Sequence, residues 1–316
     1  MTPEPRTRVL VLGGGPDAEH AVSLESSRAV ADALAQHGGF EVHREVVGAL
    51  TQADLAALPG EVIFPVLHGP WGEGGRLQRL LEGDGRPFVG CGSRAARAAI
   101  DKMFAKQVAI TLGIPTPPAA VFHPTDDAPP LDPPLVLKPV HEGSSVGLHI
   151  CRSAEDWHAA LPEARASIAR RETACFMAER FTQGRELTVG VLAGRALPLI
   201  EIAPSAGVYD FAAKYERDDT TYAVAPGLPP GVTETLQQQS LALADALGCG
   251  AICRVDFILD GNGRGQFLEA NTMPGFTAHS LLPMAAAHDG LDMPAICGLL
   301  VERALAHTPD AAGRSA

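Results

Sequence analysis

The segment from Ala251 to Asn271 constrains this chain more than any other. Between Ala251 and Leu259 the even positions hold Ile252, Arg254, Asp256 and Ile258, and the odd positions Cys253, Val255, Phe257 and Leu259. Side chains alternate along a strand, so one face carries Arg254 and Asp256 while the face behind is wholly apolar and must be covered by another layer. Asp260-Gly-Asn-Gly-Arg-Gly265 supplies a hairpin turn, and Gln266 to Asn271 supplies the returning strand. Alternation there predicts Phe267, Glu269 and Asn271 on one face and Leu268 and Ala270 on the other. A hairpin symmetric about residues 262 and 263 sets Asp256 opposite Glu269 and Arg254 opposite Asn271. Facing carboxylates repel across a ladder. A divalent cation between them relieves the repulsion, and the hard oxygens of Asp, Glu and Asn suit Mg²⁺. Taken alone, the pattern equally describes a solvated sheet face with a charge pair.

The rest of the chain reads as alternating strands and helices. Arg8-Val-Leu-Val-Leu12 runs into Gly13-Gly14-Gly15, a helical stretch from about Ala21 to Gln36, and strands at Phe40 to Val47 and Glu61 to Leu67. That order implies a parallel sheet covered by helices. A helix is predicted from Ser93 to Leu112, with Ile100, Phe104 and Val108 on its inward stripe. Pro115 to Pro134 reads as an irregular connection. Strands at Leu135 to Pro139 and Leu148 to Cys151 flank a glycine-serine loop from Glu142 to Gly147. A helix at Ala154 to Ile168 and a strand at Ala174 to Phe181 follow. Glu186 to Ala203 reads as two strands joined through Ala193-Gly194. Pro204 to Pro230 is long and polar enough for a functional lid. A helix at Val232 to Leu247 and a terminal helix at Met293 to His307 complete the pattern, and Thr308 to Ala316 is expected to be disordered.

Composition narrows the partners. A net charge of −12 leaves no basic surplus to displace counterions, which argues against nucleic acid or an anionic membrane. No apolar run reaches the ~18 residues of a membrane span, and the N-terminus lacks a signal-peptide core. The 6 cysteines are scattered without zinc spacing, so reduced thiols and a cytoplasmic location are expected.

Two elements could hold phosphate. Lys138-Pro-Val-His-Glu-Gly-Ser-Ser-Val-Gly147 places a lysine at a strand end before a loop of free N–H groups, although it is no Walker loop. Lys102, on the helix from Ser93, is the second. Gly13-Gly-Gly-Pro-Asp-Ala18 has the outline of a dinucleotide fingerprint, with Glu41 and Glu45 near the expected ribose position. Pro16, Asp17 and Glu19 would crowd and repel a pyrophosphate, so a small-substrate site there is at least as reasonable.

Together these pieces resemble the D-alanine–D-alanine ligase family of the ATP-grasp superfamily, in order and over nearly the whole chain. The matching residues are Gly13-Gly14 with Ala18-Glu19 and Val22-Ser23-Leu24, Leu67-His68-Gly69 with Gly72-Glu73 and Leu77-Gln78, and Asp101-Lys102. They continue with Lys138-Pro139 and Glu142-Gly-Ser-Ser-Val-Gly147, Glu186-Leu-Thr-Val189, Tyr209-Asp210 with Lys214-Tyr215, and Arg254-Val-Asp256. Leu268-Glu-Ala-Asn-Thr272, Pro274-Gly275 and His279-Ser280-Leu281 with Pro283 close the series.

The resemblance implies an α/β fold of three parts: an N-terminal open parallel, Rossmann-like sheet (1–97), a central ATP-grasp domain (98–182) and a C-terminal ATP-grasp domain (183–307). The last two would clamp ATP. It implies ATP-dependent joining of two D-alanines through a D-alanyl phosphate, for peptidoglycan precursors, by a protein that is commonly a homodimer. Asp256, Glu269 and Asn271 would hold two Mg²⁺, for which Mn²⁺ could substitute. Lys102, Lys138 and Lys214 would hold phosphate, Ser145 would also bind ATP, and Glu179 and Glu186 would hold the adenine and ribose. Arg254 and the Gly275 amide would stabilise an oxyanion. Glu19 would pair with the first D-alanine's ammonium, with His68 near its carboxylate. Ser144 and Tyr215 would close the lid with Glu19, and Ser280 and Leu281 would receive the second D-alanine's carboxylate. Tyr215 favours a dipeptide over a D-lactate product, the nearest alternative; a nicotinamide-dependent oxidoreductase is a more distant one. His141, Gly74 and Cys253 depart from the family pattern, where Arg, Asp and Gly are usual.

Overall fold

The computed structural model describes residues 6–170, 175–204, 220–277 and 279–306. It begins with β1 (Thr7–Gly14), α1 (His20–His37), β2 (Phe40–Val47), α2 (Gln52–Ala56) and β3 (Val62–Pro65). Strand β1 lies in the middle of a parallel sheet in the order β2-β1-β3. Val9 to Leu12 are fully buried, as a strand covered on both faces requires, and this is why that run is continuously apolar. Two further short helices, α3 (Gly69–Glu73) and α4 (Arg76–Asp84), follow β3. With α2, they occupy connections in which no element was expected.

The predicted helix 93–112 is two helices, α5 (Ser93–Ile100) and α6 (Lys102–Thr111). Asp101 breaks it with an extended backbone (ψ 94°), and its carboxylate caps α6 by accepting from the Phe104 N–H at 2.9 Å. The break turns α6, so Phe104, expected inside, is 52% exposed. The inward stripe is instead Lys102, Ala105, Lys106 and Ala109. Two lysines one turn apart are thus buried on one face.

The central part holds β4 (Ala119–Phe122), β5 (Leu135–Pro139), β6 (His149–Cys151), α7 (Ala154–Arg170) and β7 (Phe176–Arg180). The four strands form an antiparallel sheet in the order β4-β7-β5-β6. Helix α7 lays Trp157, Ala160, Leu161 and Ala164 in the same core as Phe122, Leu135 and Leu137, with Trp157 edge-on to Phe122 at 5.5 Å. Strand β4 lies within the stretch expected to be irregular. Four residues between proline clusters were too short a run to show.

The C-terminal part contains β8 (Gly184–Leu192), β9 (Arg195–Ala196), β10 (Ile200–Pro204), β11 (Thr220–Val224), α8 (Val232–Leu247), β12 (Ile252–Asp260), β13 (Gly265–Asn271), α9 (Leu281–His288) and α10 (Met293–Ala306). The sheet runs β11-β10-β8-β12-β13, with β9 folded back on β8. Ala193 and Gly194 both have positive φ (51° and 81°), the backbone of a tight hairpin turn. Three strands therefore stand where two were expected. The apolar back of β12 packs into a core with Leu187, Val189, Leu236 and Leu243.

N-terminal and C-terminal parts share one core: Val9, Val30 and Phe64 cluster with Phe276, Leu281, Leu300 and Val301. Helix α10 lies along α1, which fixes the first sheet against the last two helices. Of the expected boundaries, 97/98 falls inside α5 and 182/183 falls between β7 and β8. The expected tail, 308–316, and the lid residues Lys214 and Tyr215 lie outside the described residues.

Candidate active site

The carboxylates meet as the alternation of β12 predicts, though by a different route. Asp256 pairs with Glu269 and Arg254 with Asn271. Nearer the turn the pairing is Phe257 with Phe267 and Leu259 with Gly265, a register centred on residue 262 alone. A bulge between the two registers leaves Leu268 as the extra residue on β13. It corrects one expectation: Phe267 does not share a face with Glu269. Phe267 is fully buried in the core, edge-on to Phe257 at 6.1 Å, while Leu268 and Glu269 both line the cleft.

Each carboxylate is held by a cation. Arg254 donates from Nε and Nη2 to the two oxygens of Asp256 at 2.9 and 2.8 Å, and the Thr188 hydroxyl adds a bond of 2.6 Å to Oδ1. Lys102 Nζ lies 3.1 Å from Glu269 Oε2 and donates to the Glu142 carbonyl at 2.6 Å. The Asn271 amide oxygen accepts from the Met273 N–H at 2.8 Å. Two carboxylates and an amide at adjoining positions are hard oxygen donors, and the cations now on them mark where positive charge is favoured. This set fits a divalent metal. Among the described residues no cluster of three or more His, Cys, Asp or Glu side chains could hold one.

A cleft opens over this sheet face. Lys102, Lys138, Ser145, Glu179, Glu186, Arg254, Asp256 and Glu269 line it, so residues from the central sheet, the C-terminal sheet and α6 converge there. A second, smaller pocket shares Lys102, Glu142, Gly143 and Glu269 with the first and continues past Asn271 to Gly69 and Glu73.

Ser144 and Ser145 both have positive φ (51° and 58°), uncommon for residues with a Cβ, and a strained loop of this kind presents successive N–H groups. The Ser144 hydroxyl donates to Glu19 at the start of α1, tying the loop to the N-terminal part. In the pocket wall, Lys138 Nζ bonds Glu179 Oε1 at 2.7 Å.

His68 precedes α3, and its Nδ1 lies 3.3 Å from Glu73 Oε1. Burial disfavours its charge, but the Glu73 hydrogen bond and the charges of Glu73 and Glu19 outweigh it, so its pKa lies above 6.5. Burial likewise raises the Glu73 carboxyl, with Glu19 adding to the rise. A raised histidine pKa stabilises the fold fully below pH 6.5, and that contribution is lost as pH rises through the folded value. Nuclear magnetic resonance titration of the His68 ring should give a midpoint above 6.5. Glu73→Gln should move it downward, because burial then meets less opposition. An unmoved midpoint would contradict the pairing.

At the far end, Ser280 stands at the N-cap position of α9, and its hydroxyl accepts from the preceding Thr277 N–H at 2.9 Å and makes no cap bond to the helix. A Cβ on Gly275 would stand 2.6 Å from that hydroxyl, so glycine is needed to bring backbone and Ser280 together. The Leu281 side chain is buried in the shared core, which leaves its backbone N–H, at the first turn of α9, as the group it can offer.

Two amides of the Gly13 to Ala18 loop are already engaged: the Gly14 N–H donates to Ser23 Oγ at 2.8 Å and the Gly15 N–H to the Val47 carbonyl at 2.8 Å. A dinucleotide site there is not supported. Lys106, which no sequence argument picked out, is 2% exposed and lies 2.5 Å from Glu179 Oε2.

Residues 124–302, more than half of the chain, match the family model described as the D-ala D-ala ligase C-terminus. The chain belongs to the D-alanine–D-alanine ligase family. A D-alanine–D-alanine ligase of Acidiphilium cryptum is 42% identical over 94% of this chain and 98% of its own length. The crystal structure of a Bacillus anthracis D-alanine–D-alanine ligase complexed with ATP superposes with a TM-score of 0.82 at 28% identity, covering 96% of this chain and 99% of that one. A D-Ala:D-Ser ligase of Enterococcus faecalis, VanG, shares the fold with a TM-score of 0.79 at 24% identity, over 95% of this chain and 100% of its own. No helix among the described residues is long and apolar enough to cross a membrane.

Proposed function

We propose that this chain joins two D-alanines at the expense of ATP, giving D-alanyl-D-alanine for peptidoglycan precursors, ADP and phosphate. The observation that carries this reading is the convergence of Asp256, Glu269, Lys102 and Lys138 on one cleft that adjoins the Glu73 pocket. The carboxylate of the first D-alanine attacks the γ-phosphorus of ATP, forming D-alanyl phosphate and releasing ADP. The amine of the second D-alanine then attacks the acyl carbon, and phosphate leaves with the C–O bond.

Asp256, Glu269 and Asn271 would hold Mg²⁺, which when bound supplies positive charge against the transferring phosphate. Lys102, Lys138 and Ser145 hold phosphate oxygens, and Glu179 and Glu186 hold adenine and ribose. Arg254, oriented by its two bonds to Asp256, stabilises the oxyanion that develops at the acyl carbon, together with the Gly275 N–H. Glu19 accepts the first D-alanine's ammonium, and His68 lies near its carboxylate. Ser280 and the Leu281 N–H receive the second carboxylate. Ser144 links the loop to Glu19, excluding water from the acyl phosphate. Lys214 and Tyr215 would act from the lid, with Tyr215 favouring an amine acceptor over D-lactate.

We assign residues 1–97 to the first substrate, 98–182 and 183–307 to the nucleotide clamp, and expect a cytoplasmic homodimer. Phosphate release from ATP and Mg²⁺ should require D-alanine, be absent with L-alanine, and yield dipeptide when D-lactate competes. Release that yields only the D-lactate ester would favour the alternative acceptor.

A further inference from the structure

Glu179 sits at the wall of the nucleotide cleft with 3% exposure and one lysine on each carboxylate oxygen: Lys138 on Oε1 at 2.7 Å and Lys106 on Oε2 at 2.5 Å. The two lysines differ in position. Lys138 lines the cleft and is free to meet phosphate there, whereas Lys106 stands behind Glu179 and is not among the lining residues. Lys106 is anchored from the rear: its Nζ bonds Thr116 Oγ1 at 2.6 Å, and that hydroxyl donates to the Phe267 carbonyl of β13 at 2.7 Å. One turn away on α6, Lys102 holds Glu269. A single helix thus ties the base pocket to the strand that carries Glu269 and Asn271.

This arrangement meets a definite need. A carboxylate so deeply buried tends to take up a proton. Burial does push Glu179 upward, and Lys138 with Lys106 more than offsets it, holding the group below the ordinary carboxylate range. If Lys138 turns to the phosphates of a bound nucleotide, Lys106 is the counter-ion that remains. An ionised Glu179 accepts from an exocyclic amine and repels a carbonyl; a protonated one does neither reliably. The charged groups that act on Glu179 are Lys106 of α6 and Lys138 of β5; on the neighbouring β4, Ala119 stands opposite. Arg180, next on β7, and Glu186 of β8 line the same cleft.

We propose that Lys106 is a positioning residue for nucleotide selection: it keeps Glu179 an ionised acceptor for the 6-amino group of adenine while Lys138 serves the phosphates. The proposal rests on the reading of Glu179 as the adenine contact. Its test compares ATP with inosine triphosphate, in which a carbonyl replaces that amine. Lys106→Met should raise KM for ATP about tenfold or more, leave KM for D-alanine within about twofold, and cut the ATP-to-inosine preference several-fold. Lys106→Arg should restore the preference, because it keeps the charge. Lys106→Gln, a polar side chain without charge, gives the same readout should Lys106→Met not fold.

Burial lowers the Lys106 pKa to about 8, so ATP affinity of the unaltered enzyme should weaken above that pH, and Lys106→Arg should abolish this limb. The control is Glu179→Gln. If it lowers the base preference while Lys106→Met leaves preference and KM unchanged, Lys106 has no such role and the adenine contact stands. If Glu179→Gln itself leaves the preference intact, the adenine contact fails and the proposal falls with it.

Discussion

Glu269→Gln should lower kcat by at least about 10²-fold, with far-ultraviolet circular dichroism unchanged. The substitution keeps shape and removes one charge at the point where β12 and β13 set Glu269 against Asp256. As the site stands, Arg254 and Lys102 balance the two carboxylates. Without the Glu269 charge the balance is one positive charge in excess, and one of the two anionic donors to a divalent cation becomes a neutral amide. The fold should tolerate the change. Glu269 is about one quarter exposed, Lys102 keeps its bond to the Glu142 carbonyl, and the lost pair should cost about 1 kcal/mol. Steady-state turnover against Mg²⁺ concentration reads the result directly. Unchanged turnover at all Mg²⁺ levels would remove Glu269 from the metal site.

Arg254→Lys should be nearly as damaging, by about 10²- to 10³-fold in kcat, although the charge is retained. The reason lies in geometry. The planar guanidinium meets both Asp256 oxygens in a fixed two-pronged geometry that an ammonium on a flexible stem cannot reproduce. Asp256, 7% exposed, would keep Thr188 and one ammonium contact, at a cost of about 1–3 kcal/mol in stability. The kinetic loss should fall on kcat, with KM for ATP changed far less. A loss confined to thermal stability, with kcat intact, would make Arg254 a structural brace and nothing more.

Much of this site could be read from the sequence because its chemistry is carried by local patterns. Period two in β12 places Arg254 and Asp256 together and exposes the apolar back that the core then covers. The hairpin argument reached the right opposite pairs, but through two compensating offsets: a turn centred on residue 262 and a bulge at Leu268. Nothing in a single strand's alternation announces a bulge, and Phe267 was assigned to the wrong face for that reason. Lys106 went unseen because a lysine is by default a solvated residue. Its burial depends on Asp101 ending one helix and capping the next, which turns α6 by enough to send Phe104 outward and two lysines inward. Strand β4 and helices α2 to α4 are set by tertiary packing of four- to nine-residue pieces, below the length at which periodicity is visible. The shared core of α1, α9 and α10 with the first sheet is likewise a long-range fact that no window of sequence contains.

The most direct test of the ligation chemistry follows the oxygen. With D-alanine carrying ¹⁸O in its carboxylate, attack on the γ-phosphorus and later departure of phosphate should transfer one labelled oxygen per dipeptide into the released phosphate, detected by mass spectrometry. One ¹⁸O in the phosphate for each D-alanyl-D-alanine formed is the predicted result. Dipeptide formation with unlabelled phosphate, or phosphate release with no dipeptide, would contradict an acyl phosphate route through this site.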